Sequence, residues 1–368
     1  SRRSPSFTGE LAPEQYRHIF RHASGRYGTT LEYARQTLDT LRAHGIHDRR
    51  LGALLALCTL ALPLAAQAQA DAYPNKPITI VVAYPPGGST DLTGRNFGQE
   101  LSTRLGVPVV IENIGGAGGA IGAQKVANAA PDGYTLLVGA NNEVAINRLV
   151  TSAVKYKLTD FTPIGMIASQ PLVLVASTST GVKNIGEFLQ RTKANPGKFS
   201  YGSSGVGTSL HLAGEMVKEQ AGVFLTHIPY RGVAPLANDL LGGNLEYGVF
   251  VLSSGLPHIK SGKVIALGTT EAKRSPLTAD IPALGEHPKL KGIDIGSWFV
   301  LMGPARLPDA VVARLKTALA ESLKSPDFRK KMEASGSTVA APGGDIGPFL
   351  QAEVAKYQKI VQFAKIEQ

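Results

Sequence analysis

ITIVVAYPPGGSTD, residues 78–91, is the stretch that decides the fold. Its apolar and β-branched residues are typical of a buried parallel strand. Two prolines and two glycines follow, and then Ser89, Thr90 and Asp91 supply residue types that cap a helix start. The first N–H groups of a helix lack partners and lie at the positive end of its dipole, so this strand–loop–helix corner can receive an anion. An ordinary turn capped by Ser89 or Asp91 explains the same residues equally well.

Strand and helix patterns alternate along most of the remaining chain. Apolar runs predict strands over residues 107–112, 134–138, 172–176, 223–229, 247–252 and 264–269. Helical spacing predicts helices over residues 92–105, 184–191, 208–220, 234–241, 308–323 and 346–366. This alternation predicts the α/β class, with doubly wound, mainly parallel sheets and helices on both faces. A second glycine- and serine-rich corner, FSYGSSGVG over residues 199–207, suggests two lobes that face one cleft.

The composition of the chain indicates which kinds of molecule it can bind. The chain has 368 residues, of which 43% are hydrophobic and 18% are charged, so it is globular and long enough for two domains. The net charge is +10, but no dense basic run with interleaved aromatic residues occurs, and no nucleic-acid partner is expected. A mildly basic body suits an anionic ligand.

Residues 49–70 resemble a secretory signal peptide. Two arginines precede an apolar run, residues 51–66, which ends in the small-residue pattern AQAQA. This predicts export to the periplasm. About 50 residues precede the run, whereas a signal normally lies at the N-terminus, so a membrane anchor is the alternative. Pro63 and the short apolar length favour the signal.

Residues 1–48 are predicted to be a non-native or fusion remnant. Residues 25–51 resemble the C-terminal end of a bacterial γ-glutamylcyclotransferase, but too little of such an enzyme is present to build its site. Cys58, the only cysteine, falls inside the predicted signal, so the mature chain offers no disulfide, cysteine nucleophile or cysteine metal ligand.

Enzyme motifs are missing from the sequence. The nucleophile elbow G-x-S-x-G fails at both Ser203 and Ser204, and neither H-E-x-x-H nor a Walker loop occurs. The glycines of residues 115–122 do not have the G-x-G-x-x-G spacing of dinucleotide-binding loops. No catalytic residue, cofactor or metal site is therefore predicted, and an exported hydrolase of unfamiliar design is the enzyme alternative.

Long segments of the chain resemble one family. YPNKPITIVVAYPPGGSTDLTGR, VVIENIGGAGGAIGAQKVANAAPDGYTLLVG, YGSSGVGTSLHLAGEMV and IPYRGVAPLANDLLGGNLEY resemble, in order, the Bug-type extracytoplasmic solute receptors of tripartite tricarboxylate transporters. Tyr84 stands where these receptors usually have Phe. The resemblance implies a two-lobed periplasmic binding protein of type II-like fold, with a ligand cleft between the lobes. Residues 71–172 and 298–368 would form lobe 1, and residues 173–297 would form lobe 2.

The resemblance also implies the ligand and the partners. The ligand would be a small carboxylate, such as a dicarboxylate, a tricarboxylate, an acidic amino acid or an aromatic acid. A monomer would deliver it to membrane permease subunits, and a sensor protein is a possible further partner. One corner in each lobe would hold the carboxylate through backbone N–H groups, hydroxyls and bridging waters. The predicted contacts are Pro86, Gly87, Gly88, Ser89, Thr90 and Asp91 in the first corner and Ser203, Ser204, Gly205, Gly207 and Thr208 in the second.

Several polar residues allow two interpretations. Asp91 would repel an anion, so it either caps its helix or meets an amino group of the ligand. Asn141, Asn142 and Asn147 follow a predicted strand and could offer side-chain amides to the cleft, although asparagines are also common in turns without a ligand. His211 lies one turn into the helix after the second corner and is a candidate ligand contact or a helix-face residue. Asp239 matches a family position near the cleft but equally suits a solvated helix face. Arg231 could meet a second carboxylate, although arginine is usually exposed.

Overall fold

The computed structural model describes residues 73–366, together with the single residues 39 and 43. The chain divides into two units, Ser1–Ala72 and Tyr73–Gln368. The predicted remnant and signal peptide therefore lie outside the described residues, and they stay predictions. None of the helices within the described residues is both long and apolar enough to cross a bilayer.

Ten strands and ten α-helices make up the second unit, and most of them follow the predicted alternation. The strands are β1 Ile78–Val82, β2 Val109–Asn113, β3 Thr135–Ala140, β4 Phe161–Ser177, β5 Ser200–Ser203, β6 Thr226–Pro229, β7 Tyr247–Val251, β8 Val264–Thr269, β9 Gly296–Pro304 and β10 Thr338–Val339. The helices are α1 Ser89–Leu105, α2 Ala120–Ala127, α3 Asn147–Val150, α4 Ile185–Ala194, α5 Ser209–Ala221, α6 Val233–Leu241, α7 Leu252–Lys260, α8 Asp309–Lys324, α9 Pro326–Ala334 and α10 Gly347–Ala364.

The strands pair in the order β2-β1-β3-β9-β4-β7-β5-β6, and β8 and β10 both pair with β4. The outer strands are parallel, because β1 runs parallel to β2 and β3, and β5 runs parallel to β6 and β7. The central strands β4 and β9 are antiparallel to each other and to their other neighbours. The predicted α/β class is confirmed, with a mixed rather than purely parallel centre. Neither β9 nor the first half of β4 was predicted. In β4, Pro163 and Gly165 interrupt the apolar pattern, and both residue types are unfavourable inside a strand.

The long strand β4 belongs to both halves of the molecule. Its first part, Phe161 to Pro171, pairs with β9, and from Leu172 onward it pairs with β7 and β8. The chain returns to the first half where β9 begins, at Gly296. Two chain segments therefore connect the halves of this two-lobed α/β fold.

Close packing of α1 on β1 fixes the position of the helix start. Phe97 and Leu101 are fully buried beneath the helix, and burial of side chains of this size contributes roughly 2 kcal/mol each. A Cβ atom at Gly94 would lie 2.8 Å from Cγ2 of Val82, so only glycine permits this approach. The first turn of α1 is thereby held at the carboxyl end of β1, the usual position of ligand sites in parallel sheets.

Candidate functional site

The first corner exposes a helix start that has no side-chain cap. Gly88 occupies the N-cap position with extended backbone, φ −80° and ψ 172°, and α1 begins at Ser89. The prediction that Ser89 or Asp91 is the N-cap was wrong, because the helix begins before either residue can take that position. Since a glycine cap offers no acceptor, the N–H groups of the first turn are available to a ligand.

Asp91 points away from the opening of this corner. Its carboxylate accepts hydrogen bonds from Gly87 N at 2.9 Å, Arg95 Nε at 3.0 Å and Asn113 Nδ2 at 2.8 Å. Burial alone raises the pKa of Asp91, but these bonds outweigh it and hold the pKa below its ordinary value. The ionised carboxylate therefore stabilises the loop before α1 through hydrogen bonds within the protein. It is not positioned to contact a ligand.

The second corner joins β5 to α5 and is more internally bonded than the first. Thr208 is the N-cap of α5, and its Oγ1 accepts from His211 N at 3.4 Å and donates to Gly205 O at 2.8 Å. The N–H of Gly207, a residue with φ +75°, donates to Nδ1 of His211 at 3.0 Å. Ser209 N, the first N–H of α5, donates to Oδ1 of Asn142 at 2.9 Å, so an amide from the other lobe already occupies this helix start.

A stacked pair of histidines, His211 buried and His227 half-buried, supports this corner. The rings of His211 and His227 stack with centroids 3.8 Å apart, and Nε2 of His227 lies 2.7 Å from Oγ of Ser203. Burial lowers the pKa of both histidines, to about 3 for His227, where the neighbouring His211 and Lys218 add to the effect. The Ser203 hydroxyl is fully buried and also donates to Gly205 O at 3.0 Å. This serine–histidine contact therefore serves the packing of the loop and is closed to a substrate.

A cavity of about 260 Å³ lies where the two corners meet. Residues of both lobes line it, and the size approaches the lower end of the range for small-molecule pockets, roughly 300 to 1,000 Å³. Of the residues predicted for the site, those that line the cavity are Pro86, Gly87, Gly88, Ser89, Thr90 and Ser204.

The remaining predicted residues lie outside the cavity lining. The structure gives each of them a protein partner or a packing role instead, and they are Asp91, Asn141, Ser203, Gly205, Gly207, Thr208, His211 and Asp239. Asn141 donates to Gly296 O at 3.0 Å and to the Tyr357 hydroxyl at 2.9 Å, because it follows β3 directly and faces β9 and α10. Asp239 accepts from the Tyr230 hydroxyl at 2.7 Å. Gly207 packs on Val150, whose Cγ2 would lie 2.6 Å from an added Cβ.

Two weaker candidates from the sequence, Asn142 and Arg231, also line the cavity. Ser254 and His258, four residues apart on one face of α7, line it as well and were not predicted. Nothing in the sequence around α7 indicated a site, and no helix was predicted there.

Glu143 is a buried acid next to the cavity wall. Its carboxylate accepts from the Tyr84 hydroxyl at 2.6 Å and from Ala140 N at 2.6 Å, and Asn142 Nδ2 donates to the Tyr84 oxygen at 3.1 Å. Burial raises the pKa of Glu143 from 4.5 to about 7, although both hydrogen bonds oppose the rise. The hydroxyl that distinguishes Tyr84 from phenylalanine is thus hydrogen-bonded to Glu143 and Asn142.

The electrostatics of the cavity favour an anion. No aspartate or glutamate lines it, and Arg231 and His258 are the ionisable basic residues among its lining. Much of the remaining wall is apolar, from Pro85, Leu210 and Val251 among others. The described residues contain no cluster of His, Cys, Asp or Glu that could hold a metal ion. The arrangement can bind a small organic anion through backbone N–H groups, amides and one guanidinium.

A model of the "Tripartite tricarboxylate transporter family receptor" matches residues 94–366. The chain belongs to this receptor family. BugT of Bordetella pertussis is 32% identical to this receptor over 319 residues, which are 85% of this chain and 97% of BugT. The Bug-type resemblance of the sequence is thereby confirmed, and the family consists of receptors rather than enzymes.

Two solved structures share the fold of this family member. The periplasmic binding protein BugD is 33% identical, with a TM-score of 0.75, and the match covers 80% of this chain and 99% of BugD. A Rhodopseudomonas palustris protein solved with adipate is 32% identical, with a TM-score of 0.76, and the match covers 80% of this chain and 99% of that protein. One of these two relatives is a periplasmic binding protein, and the other was solved with a dicarboxylate.

Proposed function

We propose that this receptor captures a small carboxylate in the periplasm and delivers it to the membrane subunits of a tripartite transporter. The observation that carries the proposal is the uncapped start of α1, where Gly88, Ser89 and Thr90 line a cavity without acidic residues. Neutral donors of this kind hold an anion without the desolvation cost of a buried lysine or arginine. The adipate bound to the R. palustris relative supports the ligand class.

The first corner supplies the main grip on the carboxylate, and the second corner closes the cavity. Ser209 N is bonded to Asn142, so the start of α5 has one donor fewer to offer than the start of α1. Ser204 and Leu210 still line the cavity from the second lobe. The ligand is thus enclosed by both lobes, while its charge is met mostly by the first.

The lobes are proposed to divide near the predicted boundaries, with residues 71–172 and 298–368 in lobe 1 and residues 173–297 in lobe 2. The change of partner along β4 after Pro171, and the start of β9 at Gly296, support this division. Closure of lobes about such short connections is the usual motion of periplasmic binding proteins. The receptor is proposed to act as a monomer, exported by a signal within residues 49–70.

Calorimetry with a panel of carboxylates tests the proposal, with wild type and Gly88→Val compared. Space is open around a Cβ atom at Gly88, and its φ of −80° suits any residue, so the variant is expected to keep the wild-type melting temperature. A bulky side chain at the cap blocks the N–H groups, and we expect affinity to fall at least about a hundredfold, the loss of one or two charge-assisted hydrogen bonds. Wild-type binding should be stoichiometric and without turnover.

Unchanged affinity in Gly88→Val, or consumption of a panel member as a substrate, would contradict the receptor proposal. Mass spectrometry of small molecules that copurify with the receptor would identify the natural ligand. N-terminal sequencing of the exported protein tests the proposed signal, and an N-terminus upstream of residue 49 would rule it out.

A further inference from the structure

Asn142 joins the two lobes at the wall of the cavity. Its Oδ1 accepts a hydrogen bond from Ser209 N at 2.9 Å, and Ser209 is the first residue of α5, in the second lobe. Both residues are buried, and both line the cavity. This contact, the interlobe bond, is therefore part of the cavity wall and spans the cleft.

The interlobe bond lies away from the strands that connect the lobes. Among the described residues, every other hydrogen bond between the two proposed lobes involves a residue of β4 or β9, as the bond from Ser253 N to Gln170 does. Hydrogen bonds beside the connecting strands can persist while the lobes rotate about them. A hydrogen bond across the cleft must break when the lobes part.

Tyr84 holds the other end of the Asn142 amide. Asn142 Nδ2 donates to the Tyr84 oxygen at 3.1 Å, and this hydroxyl also lies 2.6 Å from Glu143 Oε2 and 3.2 Å from Gly118 O. A phenol hydroxyl donates one hydrogen bond and accepts two, so it can accept from Asn142 whether Glu143 is protonated or ionised. Because all these groups belong to the first lobe, the amide is fixed there with its Oδ1 facing α5.

The backbone at Asn142 is itself unusual. Asn142 is the first residue of a π-helical turn, Asn142–Ile146, between β3 and α3. Such turns are rare and are frequently found at functional sites. Within this turn Asn142 reaches the cavity, whereas the next residue, Glu143, is fully buried and contacts Tyr84. One short segment thus supplies both the residue that crosses the cleft and the acid that fixes its partner.

We propose that Asn142 is a positioning residue for ligand retention: the interlobe bond keeps the lobes together over the cavity, and the Tyr84 hydroxyl orients the amide that makes this bond. The proposal rests on the proposed function, because only a receptor that encloses a ligand between its lobes can retain one in this way. Water replaces both partners when the lobes part, so the bond changes the opening equilibrium by about two- to tenfold, as one neutral hydrogen bond does.

Ligand release tests the role of Asn142. Stopped-flow dissociation of adipate, the ligand of the R. palustris relative, should be about two- to tenfold faster from Asn142→Ala than from wild type. Asn147→Ala is the matched control, since Asn147 is also buried but donates to Ala117 O and Gly118 O within the first lobe and lies outside the cavity lining. This control should release adipate at the wild-type rate.

Tyr84→Phe tests whether the hydroxyl acts through Asn142. It should speed release by itself but add nothing to Asn142→Ala in the double variant. Amide hydrogen exchange of the ligand-free receptor separates the interlobe bond from a direct contact with the ligand. In Tyr84→Phe the Ser209 amide should exchange about two- to tenfold faster, although the substitution does not touch Ser209. The amide of Val217, further along the same helix, should keep its rate.

The outcomes that contradict the two proposals differ. Wild-type release from Asn142→Ala, additive effects of the two substitutions, or unchanged exchange at Ser209 in Tyr84→Phe would each overturn the retention role and leave the receptor function standing. Equal acceleration by Asn147→Ala would show a general loosening of the first lobe and would also overturn it. If the wild type binds no acid of the panel, the proposed function fails, and the retention role fails with it.

Discussion

Glu143, beside the cavity, is a buried acid whose protonation state depends on folding. Its raised pKa, about 7, means that the folded protein binds a proton here that the unfolded chain releases near pH 4.5. The protonated acid can donate to the Tyr84 oxygen while its other oxygen still accepts from Ala140 N. Glutamine can make the same pair of bonds without a titration.

Glu143→Gln is therefore expected to remove a pH dependence of stability. In the wild type, this residue stabilises the fold below about pH 4.5, and that stabilisation is lost as the pH rises to about 7. The stability advantage of the variant should grow over this window to on the order of 3 kcal/mol and then level off. Urea unfolding of both proteins at a series of pH values measures it. A constant difference between them would show that the acid is charged throughout.

At the scale of elements, the start of α5 depends on a neutral imidazole. Nδ1 of His211 must be unprotonated to accept a hydrogen bond from Gly207 N. Because the rings of His211 and His227 are stacked, a positive charge on one ring would repel a positive charge on the other. The lowered pKa of each histidine keeps both neutral near pH 7. The loop before α5 is thus stable only while the pair stays uncharged.

Acid should therefore loosen this corner through the histidines. The folded-state pKa of His227 is about 3 against 6.5 unfolded, so its stabilisation is complete above pH 6.5 and is lost as the pH falls towards 3. Solvent reaches the ring in part, so we expect a loss on the order of 2 kcal/mol. Melting temperatures of His227→Gln, which lacks this titration, should fall less steeply with acid than those of wild type. Parallel slopes would exclude the pair as the acid-sensitive element.

At the scale of the whole molecule, the two lobes already touch across the cleft. Val150 of the first lobe packs on Gly207 of the second, and an added Cβ at Gly207 would lie 3.1 Å from the Cβ of Val150. Disulfides join Cβ atoms roughly 3.5 to 4.5 Å apart, so a shift of a few tenths of an ångström would suffice for one. Cys58 is the only native cysteine.

A Val150→Cys, Gly207→Cys double variant should consequently lock the lobes together when oxidised. Release of bound ligand requires the lobes to part, so oxidation should slow dissociation at least about tenfold, and reduction should restore the rate. The oxidised and reduced forms share any strain at Gly207, so each controls for the other, and wild type treated with oxidant should not change. Equal dissociation rates in both forms would mean that the ligand leaves without opening of the lobes.

Some of this architecture could be predicted from the sequence because it depends on neighbours in the chain. The strand, glycine turn and helix of residues 78–105 follow from hydrophobic pattern and backbone chemistry, which act over a few residues. The central strand β9 could not be predicted in this way. It is buried on both faces, and its position depends on β3 and β4, which lie far away in sequence.

The sequence by itself determined the α/β alternation, the two corners and the receptor family, since propensity, turn chemistry and family motifs are local properties. Only the tertiary structure decided which member of each neighbouring pair reaches the cavity: Asn142 rather than Asn141, and Ser204 rather than Ser203. Adjacent side chains point in different directions, and distant partners select between them, as Tyr357 does for Asn141. Arg231 was a candidate from the sequence, but its position in the cavity lining depends on the residues that surround it in the fold.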